Sequence, residues 1–135
     1  MKRVLAFTAS LLVATGTAMA AGELKTSVPP STQTVTDWYK QSIYDPNNTK
    51  IGEIMDVLIA PDGKIDTLIV GVGGFLGAGE KDVAVNFEAV KKTTKNNSTY
   101  LTMNTTKDAL KSAPGFKYDR EKTTWVPDTS SSSNK

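Results

Sequence analysis

The chain contains no cysteine and no histidine. Without cysteine there are no disulfides, no thiol nucleophile and no lipid-bearing N-terminal cysteine. Without either residue the usual zinc ligands are missing. An excess of one charge is also lacking: 16 Lys and Arg stand against 14 Asp and Glu. Two of the basic residues, Lys2 and Arg3, lie at the extreme N-terminus, and removing that segment leaves 14 against 14. A balanced chain has no electrostatic footprint for nucleic acid, whose binding rests on clustered Lys and Arg. The one long apolar run, Val4 to Val13, is too short to span a bilayer, which takes about 20 residues.

That run has the form of a secretory leader. Lys2 and Arg3 precede it, and Ala18-Met19-Ala20 supplies small residues at the −3 and −1 positions of a cleavage site. The reading is a signal peptide over residues 1–20, cleaved after Ala20, with no transmembrane segment thereafter and a periplasmic or secreted destination. Residues 21–34, with Pro29-Pro30, read as a flexible spacer. What remains suffices for one core without disulfide support.

Short strands and turns follow. Asp45-Pro46-Asn47-Asn48 is a turn, in which Pro fixes φ and Asx side chains bond nearby backbone. Ile51 to Ala60 and Lys64 to Val72 are strands joined by Pro61-Asp62-Gly63, where Gly63 supplies positive φ. Leu68-Ile69-Val70 are consecutive apolar residues, which implies burial on both faces or a sharp bend. Asp82 to Phe87 alternates, with Val83, Val85 and Phe87 on one face. Thr99 to Met103 is a further strand after the Asn96-Asn97-Ser98 turn, and the Lys91-Lys92 pair with Lys95 reads as a solvated strand end. Thr105 is placed as the N-cap of a short helix ended by Pro114 and Gly115, with Ala109, Leu110 and Ala113 packed on the strands. Residues 117–135 read as a polar tail with a disordered end, though Phe116 and Trp125 could clamp it back. The spacing indicates an all-β barrel or sandwich with one short C-terminal helix.

Between two strands, Gly71 to Gly79 holds five glycines in nine residues, with Phe75 and Leu76 at its centre. It matches neither phosphate-binding pattern: a dinucleotide fingerprint from Gly71 meets Leu76 where glycine is required, and a phosphate loop from Gly74 meets Glu80-Lys81-Asp82 where Lys and Ser or Thr are required. An apolar pair on a glycine turn either plugs the core or is offered to a partner.

Ile51 to Leu58, the Asp62-Gly63-Lys64-Ile65 turn and the Gly73-Gly74-Phe75-Leu76-Gly77 to Val85 stretch resemble PRC-barrel domains. Asp37-Trp38-Tyr39 and Ala109 to Pro114 resemble the exported single-domain subset of that family in Gram-negative bacteria. The resemblance covers about Val35 to Phe116. It implies a small six-stranded PRC-type β-barrel over residues 35–116, used as a docking module and not as an enzyme, with no catalytic residues to carry over.

The carboxylates are scattered, and Glu53 and Asp56 fall three apart on a strand, facing opposite sides. No catalytic, cofactor or metal site is signalled. Asp45 to Lys50 resembles half a calcium loop, but Lys50 stands at the glycine position and no glutamate completes it. The expectation is a non-enzymatic, protein-binding adaptor in the periplasm, whose partner is a protein or envelope component. Its candidate surface is Trp38, Tyr39, Gly74, Phe75, Leu76 and Lys81, with Trp38 and Tyr39 alternatively covering a barrel end. A small-ligand carrier in the envelope is the second reading and needs an open apolar pocket. An enzyme is the third and needs a convergent polar cleft.

Overall fold

A computed structural model describes Gly16, residues 22–73 and residues 80–129. The chain divides into two units, Met1–Thr32 and Gln33–Lys135. In the first, Thr32 closes a small turn by donating its N–H and its hydroxyl to the Pro29 carbonyl at 3.2 and 2.6 Å. The leader assigned to residues 1–20 lies, except for Gly16, outside the described residues, as does the end of the tail, residues 130–135. No described helix is long and apolar enough to cross a membrane.

The second unit is one eight-stranded sheet with a single α-helix among the described residues. The strands are β1 (Ser42–Tyr44), β2 (Lys50–Ile59), β3 (Ile65–Val72), β4 (Lys81–Asn86), β5 (Val90–Lys95), β6 (Ser98–Met103), β7 (Gly115–Asp119) and β8 (Thr124–Pro127), and the helix α1 is Lys107–Ser112. Their hydrogen-bonded order is β5-β6-β1-β2-β3-β4-β7-β8. All neighbours are antiparallel except β1 and β6, which run parallel through Ile43 opposite Leu101.

The turns obey local chemistry. Gly63 has φ +87, and Asp62 Oδ1 accepts the Lys64 N–H at 3.0 Å. Asn96 and Asn97 both have positive φ, 49 and 63, the pairing a two-residue hairpin requires, and asparagine tolerates it better than most residues. Asp45 Oδ1 accepts the N–H groups of Asn47 and Thr49, both at 2.9 Å, so the half calcium loop is closed on its own backbone.

The core lies between β1 to β4, β6 and α1. Ile43, Ile51, Ile54, Leu68, Val70, Val72 and Val83 are fully buried, joined by Trp38, Leu101 and Leu110. Leu68, Ile69 and Val70 are each 0% exposed, yet Ile69 stands apart from the main core cluster, so β3 is covered on both faces. Its neighbour β2 shifts register between Ile54 and Asp56 and again between Leu58 and Ile59, and such bulges bend a strand.

Four expectations are corrected. Among the described residues the sheet has eight strands where six were expected, and its end strands β5 and β8 do not pair there, so the order is open. Residues 117–127, read as tail, carry most of the β7–β8 hairpin, which joins β4 through Asp82 opposite Phe116. Thr106 caps α1 in place of Thr105, its hydroxyl accepting the Ala109 N–H at 3.1 Å, and Ala109 is exposed while Leu110 is buried. Phe87 leaves β4 for a short 3-10 turn, Phe87–Ala89, where its partly buried ring packs against the core.

Candidate functional site

The six candidate surface residues separate. Gly74, Phe75 and Leu76 lie outside the described residues. Trp38 is 4% exposed; its indole N–H donates to Gln33 Oε1 at 3.1 Å and its ring stands 4.6 Å from that of Phe87. It covers the core and offers no platform. Lys81 is half-buried and its Nζ donates to the Lys111 carbonyl at the end of α1 at 2.9 Å. Tyr39 is exposed.

Beside Tyr39 is a residue that sequence reasoning passed over. Lys40 has φ 65, a left-handed conformation that L-residues other than Asn and Asp seldom adopt. Its N–H donates to the Ile54 carbonyl at 2.8 Å, and the Ile54 N–H donates to the Gln41 carbonyl at 2.9 Å. These two bonds fasten the turn to β2 and hold the strain in place. The Lys40 Nζ lies 5.6 Å from the centroid of the Tyr39 ring.

Register builds the rest. Ser42 pairs with Glu53, Glu53 with Gly71, Gly71 with Asp82, and Asp82 with Phe116, so these five form one row across five strands. Partners in a row share a face. A Cβ on Gly71 would meet the Glu80 carboxylate, the mobile end of a long side chain, and press on Met55, so the glycine leaves room for Glu80 to lie over the row. Three carboxyl groups therefore stand along one short stretch of sheet, with Glu53 paired to Lys50 at 3.6 Å. Asp82 is the exception among them: its Oδ1 is buried and, among the described residues, has no hydrogen-bond partner. Burial raises its pKa above the ordinary carboxylate value, the Glu80 charge raises it further, and Lys40 opposes both. A cleft of about 500 Å³ borders Glu53 and Gly71 of this row, between Lys50, Gly73, Glu80 and Lys107.

Asp56 and Trp125 also meet. The Trp125 indole N–H donates to Asp56 Oδ2 at 2.7 Å across 69 residues of chain, and Tyr118 packs edge-on to Trp125 at 5.8 Å. This contact clamps the C-terminal hairpin, as a tryptophan in that segment suggests. Nothing in the sequence names Asp56 as its partner, because the β2 bulge that turns Asp56 is a property of the β2–β3 register. Among the described residues no three acidic side chains are placed to hold a metal ion.

The family model described as PRC-barrel domain matches residues 32–110, more than half of the chain. No curated protein matches it.

Proposed function

The chain belongs to the PRC-barrel domain family, and we propose that this member is an exported, non-enzymatic module that docks a protein or envelope component in the periplasm. Export rests on the charge, length and cleavage pattern of residues 1–20. Docking rests on one observation: the buried Oδ1 of Asp82, without a hydrogen-bond partner among the described residues and electrostatically coupled to a backbone-strained Lys40 that carries the exposed Tyr39 next to it. A buried acceptor without a donor costs free energy, of order 1–3 kcal/mol, and strain of this kind persists where function keeps it. A partner that brings an N–H or O–H to Asp82 relieves that cost on binding. The docking surface is thus Tyr39, Lys40 and Asp82; Phe75 and Leu76, the apolar anchors read from the sequence, lie outside the described residues and join this proposal on the sequence alone.

The carrier reading, which needs an apolar pocket inside or beside the barrel, finds the interior filled by Ile43, Ile51, Ile54, Leu68 and Val70, so its ligand would have to lie outside the core, in the groove beside Tyr100 and Met103. The test has two arms in the native host. N-terminal mapping of the exported protein gives Ala21 as the first residue; a retained Met1 on the folded protein removes the export claim. A photo-crosslinking residue in place of Tyr39 gives a discrete adduct that Asp82→Ala and Phe75→Asp/Leu76→Asp each abolish while the protein stays folded. Equal crosslinking from Lys64, at the β2–β3 turn, shows that the surface is wrongly placed.

A further inference from the structure

A second surface lies at one end of the strand order. β5 is an end strand, and among the described residues one edge of it is bare. The β5–β6 hairpin closes on Lys95 opposite Ser98 through the two-residue turn Asn96-Asn97. In such a hairpin the closing pair turns its backbone groups inward, and the groups alternate along the strand. The Lys95, Thr93 and Lys91 backbone groups therefore face β6, consistent with the Thr102 hydroxyl reaching the Lys91 carbonyl at 3.4 Å. Those of Lys92 and Thr94 face away, and no described backbone group bonds to them. Val90, next in the series, gives its N–H to the Phe87 carbonyl.

The side chains on the two faces differ. On one, Lys92 is already paired with Asp37 at 2.8 Å, a contact that holds the Asp37 carboxyl below its ordinary value. On the other, Lys91, Thr93 and Lys95 border a groove of about 620 Å³ with Tyr100 and Met103 in its lining. Neither Lys91 nor Lys95 makes an ion pair or side-chain hydrogen bond among the described residues. Asp45, an acid on the same groove, is engaged by the N–H groups of its own turn. The result is a bare strand edge beside a partly apolar trough with two free ammonium groups. They are four residues apart, about 13 Å along a strand at about 3.3 Å per residue.

We infer that the β5 edge and this groove receive an extended acidic peptide segment of another protein, added as a ninth strand. Backbone bonds run from Lys92 and Thr94. Two acidic side chains four residues apart meet Lys91 and Lys95, and an apolar side chain midway lies over Thr93 towards Tyr100. Edge pairing supplies affinity and the alternate side chains supply selectivity. A second copy of this chain is not the occupant through the same edge, because β5 against β5 sets lysines against lysines.

The two surfaces share no residue, although Lys40 and Lys92 line one cleft, and each test reads its own residues, so either can fail alone. The test uses the purified full chain and an end-capped peptide Thr-Glu-Thr-Val-Thr-Glu-Thr, with Thr-Lys-Thr-Val-Thr-Lys-Thr as its control, read by anisotropy and by amide exchange. The acidic peptide binds better than the basic one, and the amides of Lys92 and Thr94 exchange more slowly in its presence. Lys91→Glu with Lys95→Glu weakens binding of the acidic peptide about tenfold and reverses the preference. Equal binding of both peptides to the unaltered chain overturns the inference. So does binding that leaves the Lys92 and Thr94 amides unprotected, which is attraction by charge without strand addition.

Discussion

Gly52 sets the closeness of β2 and β3, and replacing it tests the packing directly. It is buried on the core face, and a Cβ there would stand 2.6 Å from Val70 Cγ1 and 3.0 Å from the Gly71 carbonyl oxygen. Carbon atoms prefer about 3.5–4.0 Å, so the methyl must displace a fully buried valine by about 1 Å. Overpacking of this size costs about 1–3 kcal/mol. Gly52 does not use positive φ, so alanine fits its backbone and recovers about 0.4–1 kcal/mol from the unfolded chain. The net expectation for Gly52→Ala is a loss of about 1–2 kcal/mol, a fall in Tm of roughly 4–16 °C. Val70→Ala alone removes two methyl groups, about 1.6 kcal/mol by transfer plus a cavity term. In the double variant the new methyl occupies part of that cavity, so the pair costs less than the sum by about 1–2 kcal/mol. Urea unfolding followed by the fluorescence of the buried Trp38 measures all four corners of the cycle. Additivity within about 0.5 kcal/mol, or a Gly52→Ala variant as stable as the parent, refutes the steric account.

Two further outcomes follow from the site. Trp125→Phe deletes the donor to Asp56 Oδ2; a hydrogen bond to a charged group contributes about 1.5–3 kcal/mol. Amide exchange within Gly115–Pro127 should quicken more than exchange in β2 and β3, and equal protection there would show that the clamp is idle. Asp82→Asn acts through pH: burial and Glu80 raise the folded pKa, so the folded state keeps its proton after the unfolded chain has lost it. Stability falls as pH rises from the unfolded value through the raised folded value. The asparagine variant lacks this loss, so its margin over the parent widens across that window and then levels off. Denaturation midpoints from roughly pH 3 to pH 7 measure it, and a flat margin contradicts the assignment.

The strands with apolar alternation or apolar runs were legible to within about two residues: β2, β3, β4 and β6 each contain them, and Gly63 and the asparagine pair mark their turns. The family, too, was legible from the strand, turn and glycine segments between Ile51 and Val85. Four strands were not. β1 is three residues long and owes its place to β2 and to β6, which lies more than fifty residues away. β5, Val-Lys-Lys-Thr-Thr-Lys, has one buried residue and reads as the end of a strand because an edge needs no second apolar face. The β7–β8 hairpin hides among charges, and Trp125 shows a need for cover without showing where. Trp38 was readable as cover because a large ring at the start of a β domain has more apolar area than polar reach. Lys40 and Asp82 were not readable at all. A positive φ on lysine and a buried acceptor without a donor arise from bonds to Ile54 and from a five-strand register, and no local pattern encodes either.

The open strand order also gives the lysines of β5 a physical meaning that closure would have removed. A closed barrel has no edges to guard, whereas this order leaves β5 and β8 at its ends. β8 is four residues long and finishes at Pro127, which has no N–H to offer a further strand. β5 is longer, and it carries Lys91, Lys92 and Lys95. Charged edges oppose pairing between copies, yet the same charges favour any strand that brings carboxylates at their spacing. Discrimination of this kind needs repulsion from the wrong partner as well as attraction to the right one. The β5 edge supplies both with the same residues, so exchanging Lys91 and Lys95 for glutamate should at once release the block on basic strands and impose one on acidic strands.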